Sequence, residues 1–77
     1  MAHIKIVDKK DFHNLEDGTI NWVIVKYDKS IKLGDNIRLV EYDGDKPMNV
    51  ELIRKIIHIY RGQELKDDFA ILTLKKL

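Results

Sequence analysis

The chain lacks cysteine altogether and has one proline, one tryptophan and four glycines among its 77 residues. Without cysteine, disulfides, thiolate catalysis and cysteine-ligated zinc are excluded, and no oxidising compartment is needed. The chain also has no large excess of charge of either sign, since its 14 Lys and Arg residues are nearly balanced by 13 Asp and Glu residues, for a formal net charge of +1. A strong overall field towards nucleic acid or anionic membrane is therefore not expected. Any basic binding site must come from local clustering.

Long hydrophobic runs are absent as well, and none approaches the roughly 20 residues that a membrane span needs. The first residues lack the apolar segment of a signal peptide. We therefore expect a soluble cytoplasmic protein with no membrane partner. The length predicts a single domain over residues 1–77, with a small core.

One helix is predicted near the start of the chain. Asp8 can cap its N-terminus, and it should continue to roughly Leu15. Phe12 and Leu15 are three residues apart and should share the buried side. Gly18 is suited to end the helix because glycine adopts the left-handed conformation without steric cost.

The remaining pattern is typical of strands, at 4–7, 20–27, 36–42, 50–60 and 69–74. Both faces of 20–27 are apolar, so this strand should be buried on both sides, with Trp22 in the core. Asp43-Gly44 and Pro47 predict a turn. The segment 50–60 also fits helical spacing, but its isoleucines and the preceding turn favour a strand.

These elements predict an α+β fold that is mainly β. Five short strands and one N-terminal helix favour a small closed or half-closed barrel, because closure removes exposed sheet edges.

Several short motifs, taken in order, resemble the activating-signal-cointegrator homology (ASCH) superfamily, and in particular small bacterial and phage domains of unknown function. The motifs are His3-Ile4-Lys5-Ile6, Gly18, Leu33-Gly34-Asp35, Glu41-Tyr42-Asp43, Arg54-Lys55-Ile56 and Leu65-Lys66-Asp67. The resemblance covers nearly the whole chain and implies a PUA-like β-barrel.

The resemblance also implies where that superfamily places its reactive residues. Its signature runs from a glycine to a lysine, then a glutamate or threonine, then an arginine. Counted from Gly18, these positions are Ile20, Val23 and Val25. Aliphatic side chains cannot transfer a proton or attack a carbonyl. We therefore expect the family's amidohydrolase chemistry on modified nucleosides to be absent, although Glu64 could occupy the region of a contributing late-loop glutamate.

Basic residues cluster around the turn before the third strand and along the fourth. In a PUA-like barrel they could line one concave face and contact phosphates. Interspersed carboxylates leave a solvated mixed-charge surface as the alternative. The candidate nucleic-acid-binding residues are Lys26, Lys29, Lys32, Arg38, Arg54, Lys55 and Arg61.

Three functions remain open from the sequence. The first is a non-catalytic domain that binds nucleic acid, with RNA favoured and Trp22 as a base-stacking platform if it is not in the core. The second is a phage- or bacterium-encoded module that binds a partner protein, and modulates it, through an apolar patch at the three altered signature positions. The third is a residual hydrolase that uses Glu64 with Lys66 or Tyr60.

No metal site or cofactor is expected. The three histidines, His3, His13 and His58, are too few and too scattered for a recognisable metal site, although His13 and His58 could meet in space. The glycines are isolated turn residues and form no phosphate-binding loop.

Overall fold

The computed structural model describes residues 3–66 and 68–77; the first two residues and Asp67, the last of the Leu-Lys-Asp motif, lie outside the described part. Its elements confirm the α+β, mainly β, prediction. They are β1 (His3–Asp8), α1 (Lys9–Asp17), β2 (Trp22–Lys26), β3 (Asn36–Asp43), β4 (Lys46–Tyr60) and β5 (Phe69–Lys76).

The five strands form one sheet in the order β1-β3-β4-β5-β2. The β1–β3 pair is parallel, and the other pairs are antiparallel. Among the described residues β1 and β2 are not hydrogen-bonded to each other, so the sheet does not close into the expected barrel. The Cα atoms of β1 and β2 lie almost everywhere more than 8 Å apart, whereas paired strands are about 4.8 Å apart. Leu15 and Ile20 line the space between these two edges.

The helix confirms its predicted signals. The Asp8 side chain accepts a hydrogen bond from the Asp11 backbone N–H at 2.8 Å, and Gly18 ends the helix with φ 86°. Phe12 and Leu15 are buried. The helix therefore packs on the inner face of the sheet and covers part of the core.

The core lies on that inner face. Alternate residues of every strand point inward, as period-two alternation requires. The largest fully buried side chains come from the helix and the three central strands: Phe12, Ile37, Leu39, Ile56 and Leu72.

The expectation that Trp22 lies in the core is wrong. Val23 and Val25 point inward and are buried, but Trp22 and Ile24 point outward and are 45% and 41% exposed. The reason is position in the sheet: β2 is an edge strand, and within the described chain no second layer covers its outer face. The strand is also shorter than predicted, because Ile20 and Tyr27 lie outside it.

The fourth strand confirms the choice of strand over helix, but it begins earlier than predicted. Asp43 pairs with Lys46, so the hairpin turn is Gly44-Asp45, with Gly44 at φ 66°. Pro47, expected in the turn, is the second residue of β4. It lies beside a register shift in the β3–β4 ladder, which is a position where a strand tolerates proline.

A second irregularity lies further along β4. Ile56 pairs with Leu74 but His58 pairs with Thr73, so Ile57 is an extra residue on β4. Such a β-bulge bends the strand and increases its twist. Because of it, Ile56 and Ile59 face inward while His58 and Tyr60 face outward.

We predict that Leu39→Ala lowers the free energy of unfolding by about 2–5 kcal/mol, because Leu39 is completely buried and its truncation leaves a cavity. Trp22→Ala should cost clearly less, since much of the indole already faces solvent. Urea denaturation of both variants checks this ordering. A larger loss for Trp22→Ala than for Leu39→Ala would contradict the placement of Trp22.

Candidate nucleic-acid interface and edge cleft

An exposed aromatic ring, Trp22, lies on the outer side of the sheet at its β2 edge. Trp22 on β2 is opposite Thr73 on β5, which in turn is opposite His58 on β4. We call the surrounding surface the Trp22 face. It consists of Trp22, Ile24, Lys26, Lys55, His58, Ile71, Thr73 and Lys75, all pointing outward by strand register.

Lysines border the tryptophan on this face. Lys55 and Lys75 are paired directly across the β4–β5 ladder, on the strand positions next to His58 and Thr73. Lys26 lies at the opposite end of β2, across from the half-buried Phe69. Among the described residues these three lysines have no ion-pair partner. The Trp22 face therefore combines a π surface with uncompensated positive charge.

The other candidate basic residues are elsewhere. Arg38 points outward on β3, and its Nη2 atom binds Glu51 Oε2 at 2.6 Å. Arg54 points inward, towards a hollow of about 60 Å³ beside Gly18. The Arg61 guanidinium stacks over the Tyr27 ring, 4.0 Å from its centroid. Lys29 and Lys32 lie in the connection between β2 and β3.

The structure thus places Lys26 and Lys55 on the same outer face, but at opposite ends of it, and on the other side of the sheet from Arg54. Sequence reasoning missed Lys75, although the outward alternation Phe69, Ile71, Thr73 continues directly to it.

The space between the two sheet edges forms a long groove, which we call the edge cleft. Its half near the helix has a volume of about 310 Å³, and its half near the β2–β3 connection about 280 Å³. Lys5 lines both halves. The first half is lined by Lys5, Val7, Asp11, Leu15, Ile20, Trp22, Val23 and Ile24, and the second by His3, Ile4, Lys5, Val25, Lys26, Asp28, Ser30, Ile31, Ile37 and Leu72.

The three altered signature positions lie along this cleft. Val23 and Val25 are buried, and Ile20 is half-buried against the core. Their side chains fill the inner wall and do not form an exposed patch. Among the described residues these positions therefore form no exposed apolar patch. Exposed apolar side chains are found on the outer face of the sheet, at Ile4, Ile6, Trp22, Ile24 and Ile53, and outside it, for example at Leu33 in the β2–β3 connection.

One edge of the cleft presents unpaired main-chain groups. The N–H of Leu74 donates to the Asn21 carbonyl, and the N–H of Tyr27 donates to the Asp68 carbonyl. In an antiparallel ladder hydrogen-bonded pairs alternate, so Val23 and Val25 bond to β5 between these two positions. The main-chain groups of Trp22, Ile24 and Lys26 must then point away from β5, towards the cleft.

A polar cluster closes one end of the cleft. His3 Nε2 and Asp35 Oδ2 are 2.9 Å apart, and the same carboxylate accepts the Lys32 backbone N–H at 3.1 Å. The hydrogen bond from His3 is the main cause that lowers the pKa of Asp35. This contact joins β1 to the turn before β3.

One charged side chain is buried in the described part of the chain. Glu41 is only 5% exposed, and its Oε2 atom is 3.7 Å from His13 Nε2. His58 lies on the outer face of the sheet, so it does not meet His13. Within the described residues no three His, Asp or Glu side chains are placed to hold a metal ion.

The candidate pair for a residual hydrolase does meet. The Tyr60 hydroxyl donates a hydrogen bond to the Glu64 carboxylate. This bond raises the pKa of Tyr60 and lowers that of Glu64. Glu64 is thus held as a carboxylate, and it lines neither half of the edge cleft.

The fold and these surfaces define a small α+β domain with an uncovered sheet face and a cleft between unpaired edges. The chain belongs to the family described as Domain of unknown function (DUF3850), whose pattern it matches over residues 2–74. No curated protein matches the chain. No helix in the described part is both long and apolar enough to cross a membrane.

The lowered pKa of Asp35 leads to a prediction about how the stability of the protein depends on pH. A carboxyl whose pKa is lower in the folded state contributes stability above its unfolded pKa and loses it as the pH falls through the folded pKa. We expect Asp35→Asn to reduce stability near neutral pH and to weaken the acid dependence below about pH 4.

Urea denaturation of the wild type and Asp35→Asn between neutral and acidic pH measures this difference. Asp17 and Asp28 also have lowered pKa values, through hydrogen bonds with Thr19 and Ser30, so only the difference between the two proteins is diagnostic. A difference that stays constant down to the acid limit would contradict the role assigned to the His3–Asp35 contact.

Proposed function

We propose that the protein is a non-catalytic domain that binds single-stranded nucleic acid, with RNA favoured over DNA. The observation that carries this proposal is the half-exposed Trp22 on the outer sheet face, with Lys75 diagonally opposite on the neighbouring strand β5 and Lys55 beyond it on β4. Single-strand-binding proteins combine these two elements, an aromatic surface for a base and cations for the backbone.

Simple energetics support a stacked base. Stacking on an aromatic side chain contributes about 1–3 kcal/mol per base, and the indole needs no rearrangement to become accessible. The three lysines of the Trp22 face supply local positive charge in a chain whose net charge is only +1. Affinity should therefore be modest, and most of its electrostatic part should come from these few contacts.

The family resemblance and the signature positions support the two other parts of the proposal, the preference for RNA and the absence of catalysis. The ASCH resemblance favours RNA as the ligand, and the strongly curled sheet is compatible with an incomplete PUA-like barrel. The aliphatic side chains of Ile20, Val23 and Val25 offer no proton donor or nucleophile at the signature positions. A cytoplasmic location and a bacterial or phage origin complete the proposal.

We predict that Trp22→Ala weakens binding of a short fluorescein-labelled single-stranded RNA by about tenfold, through loss of one stacked base. Fluorescence polarisation at about 50 mM and about 200 mM salt gives both the affinity and its salt dependence. Quenching of the single tryptophan in the wild type reports stacking directly.

We further predict that Lys75→Gln reduces the slope of log affinity against log salt by about 0.7, the value for one phosphate contact on a single strand. Lys10→Gln is the matched control, because Lys10 is exposed on α1, on the other side of the sheet. An equal effect of both substitutions would point to bulk charge. Absence of binding to RNA and DNA at low salt would refute the proposal.

A protein partner is the second candidate, favoured by a different surface. Ile4 and Ile6 of β1 are 64% and 55% exposed, and Ile53 of β4 is exposed on the same outer side of the sheet. Exposed apolar patches commonly mark protein interfaces. If so, Ile6→Lys should abolish stoichiometric capture of one partner from bacterial lysate while RNA binding is retained. Capture of the same proteins by the wild type and by Ile6→Lys would count against this second candidate.

A further inference from the structure

We propose that the edge cleft binds an extended peptide of a partner protein, which inserts as a sixth strand between β1 and β2. This inference rests on the main-chain groups of β2 and not on the side chains of the Trp22 face, although Trp22, Ile24 and Lys26 belong to both surfaces. Peptide binding by strand addition takes its affinity from main-chain hydrogen bonds at an exposed sheet edge.

The two edges of the cleft are further apart than directly paired strands. A strand inserted between two others separates them by about 9.6 Å, twice the ordinary spacing of about 4.8 Å. The Cα atoms of β1 and β2 are almost everywhere more than 8 Å apart, yet both strands line the same groove. Direct pairing would require the edges to approach by several ångströms.

The hydrogen-bonding groups identify the occupant as a peptide. Trp22, Ile24 and Lys26 turn both N–H and C=O groups towards the cleft, as derived from the β2–β5 ladder. A phosphate backbone supplies acceptors only and leaves the carbonyls unsatisfied. A peptide supplies donors and acceptors in alternation, at the same spacing as the edge.

The side chains that line the edge cleft indicate which side chains the bound peptide should have. Apolar side chains line part of each half, Val7 and Leu15 in one and Ile37 and Leu72 in the other, and each half also has a carboxylate in its lining, Asp11 or Asp28. Between them lies Lys5, half-buried and with no ion pair to any described residue. A half-buried cation is stabilised by an opposite charge. The fitting peptide therefore points an acidic side chain inward at its centre and apolar side chains on either side.

The test uses the full chain and a synthetic peptide, N-acetyl-Thr-Val-Thr-Glu-Thr-Val-Thr-amide, in which Val, Glu and Val share one face. Amide hydrogen exchange by NMR is followed with and without the peptide. In the free protein the amides of Val23 and Val25 should exchange slowly and those of Ile24 and Lys26 quickly. Bound peptide should slow Ile24 and Lys26 about tenfold or more.

Two matched peptides act as controls. Replacing Glu by Lys should weaken binding, because Lys5 is then opposed by like charge. Methylating a central peptide nitrogen should abolish binding, because it removes a main-chain donor. Binding of the methylated peptide with unchanged affinity would overturn the proposal, as would no binding of the parent peptide at about 1 mM. Protection of the same amides by RNA instead would assign the cleft to nucleic acid.

Protein variants separate this inference from the proposed function. Ile24→Pro removes one edge N–H and should weaken peptide binding about tenfold; Ile24→Thr keeps the N–H and should bind within about twofold. Lys75→Gln, which impairs RNA binding, should leave peptide binding unchanged. If Ile24→Pro does not fold, the exchange pattern of the wild type with its methylated-peptide control decides alone. Equal loss with Ile24→Thr and Ile24→Pro would overturn main-chain pairing.

Discussion

A nine-residue helix is the only helix available to cover a five-stranded sheet in the described chain. Such a helix can cover part of one face, so the sheet must curl around its own inner face to bury the rest. The core built in this way is complete, with Leu39, Ile56 and Leu72 fully shielded from water. No element of the described chain covers the opposite face. Both the exposed Trp22 and the exposed isoleucines of β1 follow from this shortage of covering structure.

The same curl brings the two outer strands towards each other without letting them meet. Leu15 and Ile20 occupy the space at one end, and the His3–Asp35 contact fixes β1 at the other. Unpaired edges invite association with foreign strands, and natural edge strands often have charged residues, as β1 and β2 do at Lys5 and Lys26. The cleft and the uncovered face share Trp22, Ile24 and Lys26 but offer different groups, main-chain N–H and C=O groups in the cleft and aromatic and cationic side chains on the face.

Local signals in the sequence were sufficient for the local structure. Asp8 and Gly18 predicted the ends of the helix, and the alternation from Asn36 onwards predicted β3. Both predictions succeed because a helix cap and a strand pattern depend only on neighbouring residues. The position of Trp22 was not predictable in this way. Apolar residues on both faces of β2 indicate a strand of low polarity. Whether a face is buried depends on which parts of the chain pack against it, and neighbouring residues do not show this. Arg54 and Lys55 were likewise grouped by sequence proximity, whereas strand register sends them to opposite faces.

The bulge at Ile57 sets the phase of everything after it in β4. Before the bulge the even-numbered residues face inward, and after it Ile59 does so. Removing Ile57 alone would restore strict alternation and leave every other side chain on its present face. Removal of a residue before the bulge, such as Lys55, would instead move Ile56 from the core to the outer face. Ile57 therefore marks the point at which evolution or engineering can change the length of this strand by one residue without redistributing its chemistry.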